Sequence, residues 1–400
     1  MIKKIKTSDL KVGMYIHDLN SSWMEHSFIS NQFKIKADKD IKKMHSHGIK
    51  SVYIDTQKGL DFKHAPTAAD TLMDVHKKAI NVAGIEKPIS KQTRVGEEIQ
   101  QARSIYKAAT KAMNNIMTDA RLGKQVQVEL VQPIAEQMIE SAFRNKDALI
   151  SLSRIKSKDE YTFMHSVSVA GLMVSFGRAM DMDKKVIHEI AVGGLLHDIG
   201  KMSIPLEILN KPGKHTPSEW EIMKSHVVHS REILKQTPGI SQQALDVGAL
   251  HHERYDGSGY PDGLKHDQIS EIGQMSAIVD VYDALTSIRV YKDAWEPTIT
   301  LKKMLEWSPH HFNPELIQRY IRSLGIYPIG TLVELESGLV GVVIEQGEGS
   351  LLQPMLRIFY NAKKTSYVKI REMDLTRETS DRILNAVSPS KYGIDLSIFY

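Results

Sequence analysis

Hydrophobic positions along this chain change their period more than once. Residues 1–58 carry short apolar runs broken by turn signals: Ile2, Ile5 and Leu10, then Val12-Gly13-Met14-Tyr15-Ile16, then Ile49 to Ile54 ahead of Asp55. Runs of that length bounded in that way predict strands. Residues 38–47 between them predict a short helix with Asp38 as its N-cap. The whole stretch reads as a small α+β domain. Residues 59–96 are polar, hold Pro66 and Pro88, and read as a linker with one helix near 69–83.

From Glu97 to about residue 328 the period is helical. Ile99, Ala102, Ile105, Tyr106, Ala109, Ala112 and Met113 form one stripe, and Val131, Ile134, Ala135, Met138 and Ala142 another. Thr216-Pro217-Ser218-Glu219 has the spacing of a capping box with proline at the first helical position. Asn313-Pro314 opens a further helix and Gly325 closes it. Residues 97–328 therefore read as all-α. After Pro328 come strand-like segments at 331–336, 339–345, 351–360 and 367–372, separated by glycine-bearing turns and by 361–364. They predict a small β-domain of barrel type over 329–400, with a tail after about Ser380.

Bulk properties narrow this picture. Four hundred residues exceed one ordinary core, so two or three domains are expected. With 42% hydrophobic and 25% charged residues the chain reads as soluble and globular. A net charge of +4 is too mild to argue for a nucleic-acid polymer as partner. The absence of cysteine excludes disulfides and thiolate sites, so any metal must be held by nitrogen and oxygen. The lysine-bearing N-terminus lacks a signal-peptide core, and no run approaches the ~18 apolar residues of a membrane helix, so a cytoplasmic protein is expected.

The chemistry gathers around residues 251–263, where His251 and His252 run into a glycine-rich loop with Tyr260 between Gly259 and Pro261. Imidazoles are the commonest metal ligands, and glycine lets a backbone approach a ligand closely. His165 lies beside the helical stripe Phe163, Val167, Ala170, Met173 and Val174. The stripe Val186, Ile190 and Leu195 ends in His197-Asp198-Ile199-Gly200-Lys201, where the aspartate can bridge two ions and the lysine needs an anion between itself and a metal. His226 follows Met223, and Asp280 and Asp283, three apart, share one helix face. One histidine beside an apolar stripe is ordinarily a core residue. The joint pattern, each piece on a separate helix or helix end of one all-α region, reads as a single metal site.

HDIGK (197–201) together with HHERYDGSGYP (251–261) resembles the HD-GYP subgroup of the HD metal-dependent phosphohydrolases. The segment 280–292, DVYDALTSIRVYK, also resembles the family, and the likeness covers about 140–328. The N-terminal flank resembles the domain of unknown function that often precedes HD-GYP domains in bacteria. The resemblance implies a multidomain protein with an all-α HD-type catalytic domain between a small α+β N-terminal domain and a small C-terminal β-domain. It implies hydrolysis of a cyclic dinucleotide, above all cyclic di-GMP to pGpG or GMP, by a metal-bridged hydroxide. The implied metal ligands are His165, His197, Asp198, His226, His251, His252 and Asp280, with Asp198 bridging. Lys201 would contact the scissile phosphate, and Arg289 and Lys292 would hold phosphates or guanine. Apart from the resemblance, Asp283, or a water it orients, is the candidate proton donor to the leaving group. Gly259, Tyr260 and Pro261 would line the nucleotide side, Tyr260 stacking on a purine or, alternatively, docking a signalling protein.

The sequence departs from the family pattern in two places. A third-metal glutamate found in some members corresponds to Tyr161, with Glu160 one residue, or ~100° of helix, away, so two divalent ions are expected. Iron or manganese leads, with zinc, nickel, cobalt or magnesium as alternatives. Ser230 stands where members usually carry glycine. Two other functions compete: hydrolysis of the mixed 3′3′-cyclic GMP–AMP, and a catalytically silent sensor or docking module. A plain mononucleotide phosphohydrolase is disfavoured by the GYP loop. A homodimer is a further expectation.

Overall fold

The computed structural model describes residues 1–21, 32–83, 93–152, 161–287, 294–347, 350–378, 380–388 and 391–392. The N-terminal segment forms β1 (Ile2–Lys6), β2 (Tyr15–Asp18), β3 (Phe33–Lys34) and β4 (Ser51–Asp55), an antiparallel sheet in the order β1-β4-β2-β3. Helix α1 (Asp38–Ser46) seats Met44 in a core with Ile5, Ile16, Val52 and Ile54. Asp38, expected as the N-cap, is the first helical residue. Ala37 is the cap, and Asp40 accepts its N–H at 3.2 Å from inside the first turn, the reciprocal half of a capping box.

Helix α2 (Ala68–Ala83) lies where one helix was expected in the polar stretch, and Ala79 joins the main core. The long antiparallel pair α3 (Val95–Arg121) and α4 (Gln132–Leu152) buries both stripes read from the sequence, Met113, Met117 and Met138 fully. Their core also takes Val167, Ala170 and Val174 of α5 (Tyr161–Ala179) and Ile187 and Leu195 of α6 (Lys184–Leu196). Short α7 (Leu206–Leu209) and α8 (Pro217–Lys224) follow. The capping box of α8 is formed, with Thr216 Oγ1 accepting from Glu219 N at 3.3 Å and Glu219 accepting from Thr216 N at 2.7 Å.

Next come α9 (His226–Gln236), α10 (Gln242–Leu250), α11 (Glu271–Thr286), α12 (Pro297–Trp307) and α13 (Pro314–Leu324). Asn313 caps α13 through Glu315 N at 2.9 Å. Gly325 ends it at φ +80, in a spot where a Cβ would meet Gln346 Oε1 at 2.2 Å.

The C-terminal strands β5 (Leu332–Leu335), β6 (Leu339–Glu345), β7 (Met355–Asn361), β8 (Ser366–Asp374) and β9 (Ile383–Ala386) form one antiparallel sheet, β8-β7-β6-β5-β9. Among the described residues β8 and β9 are its edges and do not pair, so the sheet is open where a barrel was expected, and β9 lies in the expected tail. Curling is unnecessary because helices cover one face: Val333, Leu335, Val343, Leu356 and Ile358 share a core with Tyr320, Ile321 and Leu324. Among the described residues no helix is long and apolar enough to cross a membrane.

The N-terminal sheet docks on α12 through a buried carboxylate. Glu306 accepts from Tyr53 Oη at 2.7 Å and pairs with Lys4 at 2.5 Å and Lys303 at 3.2 Å, while Lys303 also donates to Asn20 at 2.9 Å. The turn after α1 reaches further. A Cβ on Gly48 would lie 3.1 Å from Ser258, and Lys50 stands 3.5 Å from Asp256, so this module touches the loop that follows His252.

Candidate metal centre

Helix ends converge on one buried point. His165 projects from the first turns of α5; His197 caps the end of α6; His226 opens α9; His251 caps α10 and His252 follows it; Asp280 comes from α11. The tight turn after Asp198 depends on glycine. Gly200 N donates to Ser230 Oγ at 2.9 Å, and a Cβ on Gly200 would stand 2.0 Å from His226 O. That contact presses the HD turn onto the first turn of α9 and sets Asp198 beside His226. Ser230 is thus used through its hydroxyl.

Asp198 divides its two oxygens between two sets of imidazoles. Oδ2 lies 3.3 Å from His197 Nε2 and 3.6 Å from His165 Nε2. Oδ1 lies 3.4 Å from His226 Nε2 and 3.8 Å from His251 Nε2. Asp280 completes both sides, its Oδ1 2.9 Å from His165 Nε2 and its Oδ2 4.0 Å from His252 Nδ1. His165, His197 and Asp280 bring donor atoms together as one group, and His226, His251 and His252 as another. All seven residues expected as ligands meet here.

Backbone carbonyls fix which ring nitrogen faces inward. A carbonyl can only accept, so Nδ1 of His197 donates to Gly194 O (2.8 Å), of His226 to Met223 O (2.6 Å) and of His251 to Gly248 O (3.0 Å). Each Nε2 is left with a lone pair aimed at the centre, the arrangement a metal-binding imidazole needs. Nε2 of His197, His226 and His251, with Asp198 Oδ1, are buried and have no hydrogen-bond partner among the described residues. Buried polar atoms are ordinarily satisfied. The nitrogen and oxygen donors fit a divalent metal site, which would satisfy all four.

Electrostatics agree. Burial holds His226 down to about 4 and His251 to about 3, and His252 well below the ordinary imidazole value, so these rings are neutral at pH 7. Burial also opposes charge on Asp198, but Lys201 and His197 outweigh it and keep this carboxyl ionised; Asp280 is kept ionised against burial chiefly by its hydrogen bond to His165. For His197, Asp198 and Asp280 outweigh burial and raise the pKa. Lys201 Nζ donates to Asp198 Oδ2, with its side chain partly open to solvent at the rim.

Two further candidate residues lie directly against the site histidines. Asp283, read as a proton donor, is buried with Oδ2 accepting from His165 Nδ1 at 2.6 Å, on the side of that ring away from Asp198 and Asp280. It orients His165. Tyr260, read as a purine-stacking residue, lays its ring on His252, centroids 4.7 Å apart and planes 24° from parallel. Gly259 folds back so closely that a Cβ would stand 2.3 Å from Arg254 N, and with Pro261 it shapes this wall. Arg289, Lys292 and Glu160 lie outside the described residues. Sequence reasoning passed over Glu253, whose buried carboxylate accepts from the N–H groups of Asp262, Gly263 and Leu264 at 2.8, 3.1 and 3.0 Å and pins the loop. An acid directly after two site histidines, ahead of a glycine-rich loop, was the signal available.

The domain of unknown function DUF3391 matches residues 2–131, and the HD domain matches residues 136–316. The chain is 37% identical over 387 residues to a cyclic di-GMP phosphodiesterase of Pseudomonas aeruginosa, covering 96% of this chain and 92% of that one. This chain belongs to the HD-GYP phosphodiesterase family. Two further relatives match over shorter spans. A 3′3′-cGAMP-specific phosphodiesterase of Vibrio cholerae is 44% identical over 31% of this chain and 24% of its own length. A cyclic di-GMP phosphodiesterase response regulator of Xanthomonas campestris is 36% identical over 50% of this chain and 53% of its own.

Proposed function

We propose that this HD-GYP protein hydrolyses a cyclic dinucleotide, cyclic di-GMP first, at a centre of two divalent ions, iron or manganese, with Asp198 as the shared ligand. The observation that carries the reading is the division of Asp198, one oxygen toward His197 and His165 and the other toward His226 and His251. A single-ion site would leave one of these sets idle. When bound, such ions make a nucleophile from water near neutral pH and offset charge on the phosphoryl group. The protein's own residues supply the rest. His165, His197 and Asp280 would hold one ion, and His226, His251 and His252 the other. Lys201, held at the rim by Asp198, offers its ammonium to the phosphoryl oxygens, where charge grows in the transition state. Asp283 keeps His165 in the tautomer that presents Nε2.

The test is purified protein loaded with Mn²⁺ or Fe²⁺ and offered cyclic di-GMP, 3′3′-cyclic GMP–AMP and a deoxynucleoside triphosphate. We expect cyclic di-GMP to be opened, the activity to vanish on chelation, and the triphosphate to survive. The identity with the Vibrio cholerae enzyme favours cyclic GMP–AMP as the second substrate to compare. Binding of cyclic di-GMP without turnover in the loaded protein would make the chain a sensor.

A further inference from the structure

Beyond the centre, aromatic rings continue outward in a row. Tyr260, stacked on His252, meets Trp220 edge-on at 6.5 Å between centroids and 78°, and Trp220 in turn stands 6.3 Å from His215. Trp220 is half-buried on α8. Lys224, four residues on and therefore on the same helix face, holds its ammonium 5.7 Å from the Tyr260 ring centroid. Lys224 also pairs with exposed Glu221 at 2.9 Å. The ledge is stiff: the Thr216–Glu219 capping box fixes the start of α8, Lys211 pairs with Glu219 at 2.5 Å, and α8 ends two residues before the candidate ligand His226.

Resting on the cyclic dinucleotide reading, we propose that Trp220 and Lys224 form the subsite for the second nucleotide of the substrate. A cyclic dinucleotide with one phosphate beside Lys201 must place its other purine and other phosphate outside the metal centre. The row from His252 through Tyr260 to Trp220 leads outward from the ligands, and it pairs an indole with an ammonium, which suits a purine and a phosphate respectively. Tyr260 itself is committed to His252, so Trp220 takes the stacking role that the sequence assigned to Tyr260. Base–aromatic stacking tolerates any purine. The ledge therefore selects for a two-base substrate over a small diester, and it does not choose guanine over adenine.

The experiment measures kcat and KM of the manganese-loaded full-length protein on cyclic di-GMP and on bis(p-nitrophenyl) phosphate, a diester with no base. Trp220→Ala is expected to raise KM for cyclic di-GMP about five- to a hundredfold, the range base stacking supplies, with kcat nearly kept. It should leave bis(p-nitrophenyl) phosphate kinetics and metal content unchanged. Trp220→Phe should restore most of the affinity, and Lys224→Gln should raise KM and weaken its dependence on salt. Indole emission should be quenched on mixing cyclic di-GMP with the loaded wild type, and the quench should shrink in Trp220→Phe. An unchanged KM in Trp220→Ala, with the wild type active on cyclic di-GMP, overturns the subsite alone. Equal losses on both diesters overturn it as well, since they would mark Trp220 as structural. A wild type that cleaves only the base-free diester overturns both the subsite and the cyclic dinucleotide reading.

Discussion

Glu306 and Asp198 are both carboxylates buried among helices, and the surroundings treat their oxygens in opposite ways. Glu306 is closed: Tyr53 and Lys4 serve Oε1, Lys303 serves Oε2, and two lysines more than balance the charge. Asp198 is open. Its Oδ1 and three neighbouring imidazole nitrogens are buried without partners among the described residues, and four imidazole rings crowd one carboxylate. Burying an unpaired polar group is costly, and a protein keeps such a cluster where a ligand completes it. The closed cluster fastens the N-terminal module to α12, and the open one is where chemistry is expected.

The comparison breaks first at Asp198. Asp198→Ala should abolish tight metal binding and cyclic dinucleotide hydrolysis together, because a shared ligand has no spare; two equivalents of metal retained by elemental analysis would sink the assignment. Glu306→Ala strands Tyr53, Lys4 and Lys303, so it should lower unfolding free energy by about 3–5 kcal/mol in denaturant titration. The metal content of the folded fraction should be unaffected. Lys201→Ala should keep its metal and lose about 10²–10³ in turnover, the range for removing one transition-state charge stabiliser. Full turnover would remove Lys201 from the mechanism.

Acid should separate the clusters next. Unfolded histidines take up protons as pH falls through about 6.5, whereas folded His226 resists to about 4 and His251 to about 3. Acidification from about 6.5 to about 4 therefore favours the unfolded chain through these two rings, and metal-free protein should lose stability across that window. Chemical denaturation at stepped pH reads this directly. The smallest effect belongs to Lys50→Ala. Its half-exposed pair with Asp256 should contribute no more than about 1 kcal/mol, and a larger loss would mean that the N-terminal turn carries more of the loop than one ion pair.

Much of the candidate site was legible because its residues sit at helix ends beside apolar stripes, as with His197 after Leu195 and His251 after Leu250. Stripe and terminus together fix where such a side chain points. The partners of Glu253 and Ser230 could not be read from the sequence, because they are backbone N–H groups set by the folded loop and turn. For Asp283, spacing puts it on the same face as Asp280 but cannot say that His165 stands between them. In the fold, the helices followed from local pattern, while the open form of the C-terminal sheet depends on packing against α13, which no strand pattern reveals.

The shared core of that sheet has a consequence for the chain's modularity. Val333, Leu335, Val343 and Ile358 lie in one cluster with Tyr282 of α11 and with Ile317, Tyr320 and Leu324 of α13. Tyr282 sits two residues after Asp280 on the same helix. A fragment ended at residue 328 would keep every candidate ligand but would lose the strands that share this cluster with α11, the helix that presents Asp280. The described strands β5–β9 thus share a core with the helices of the candidate metal centre, and transplanting those helices into another protein would require taking the sheet with them.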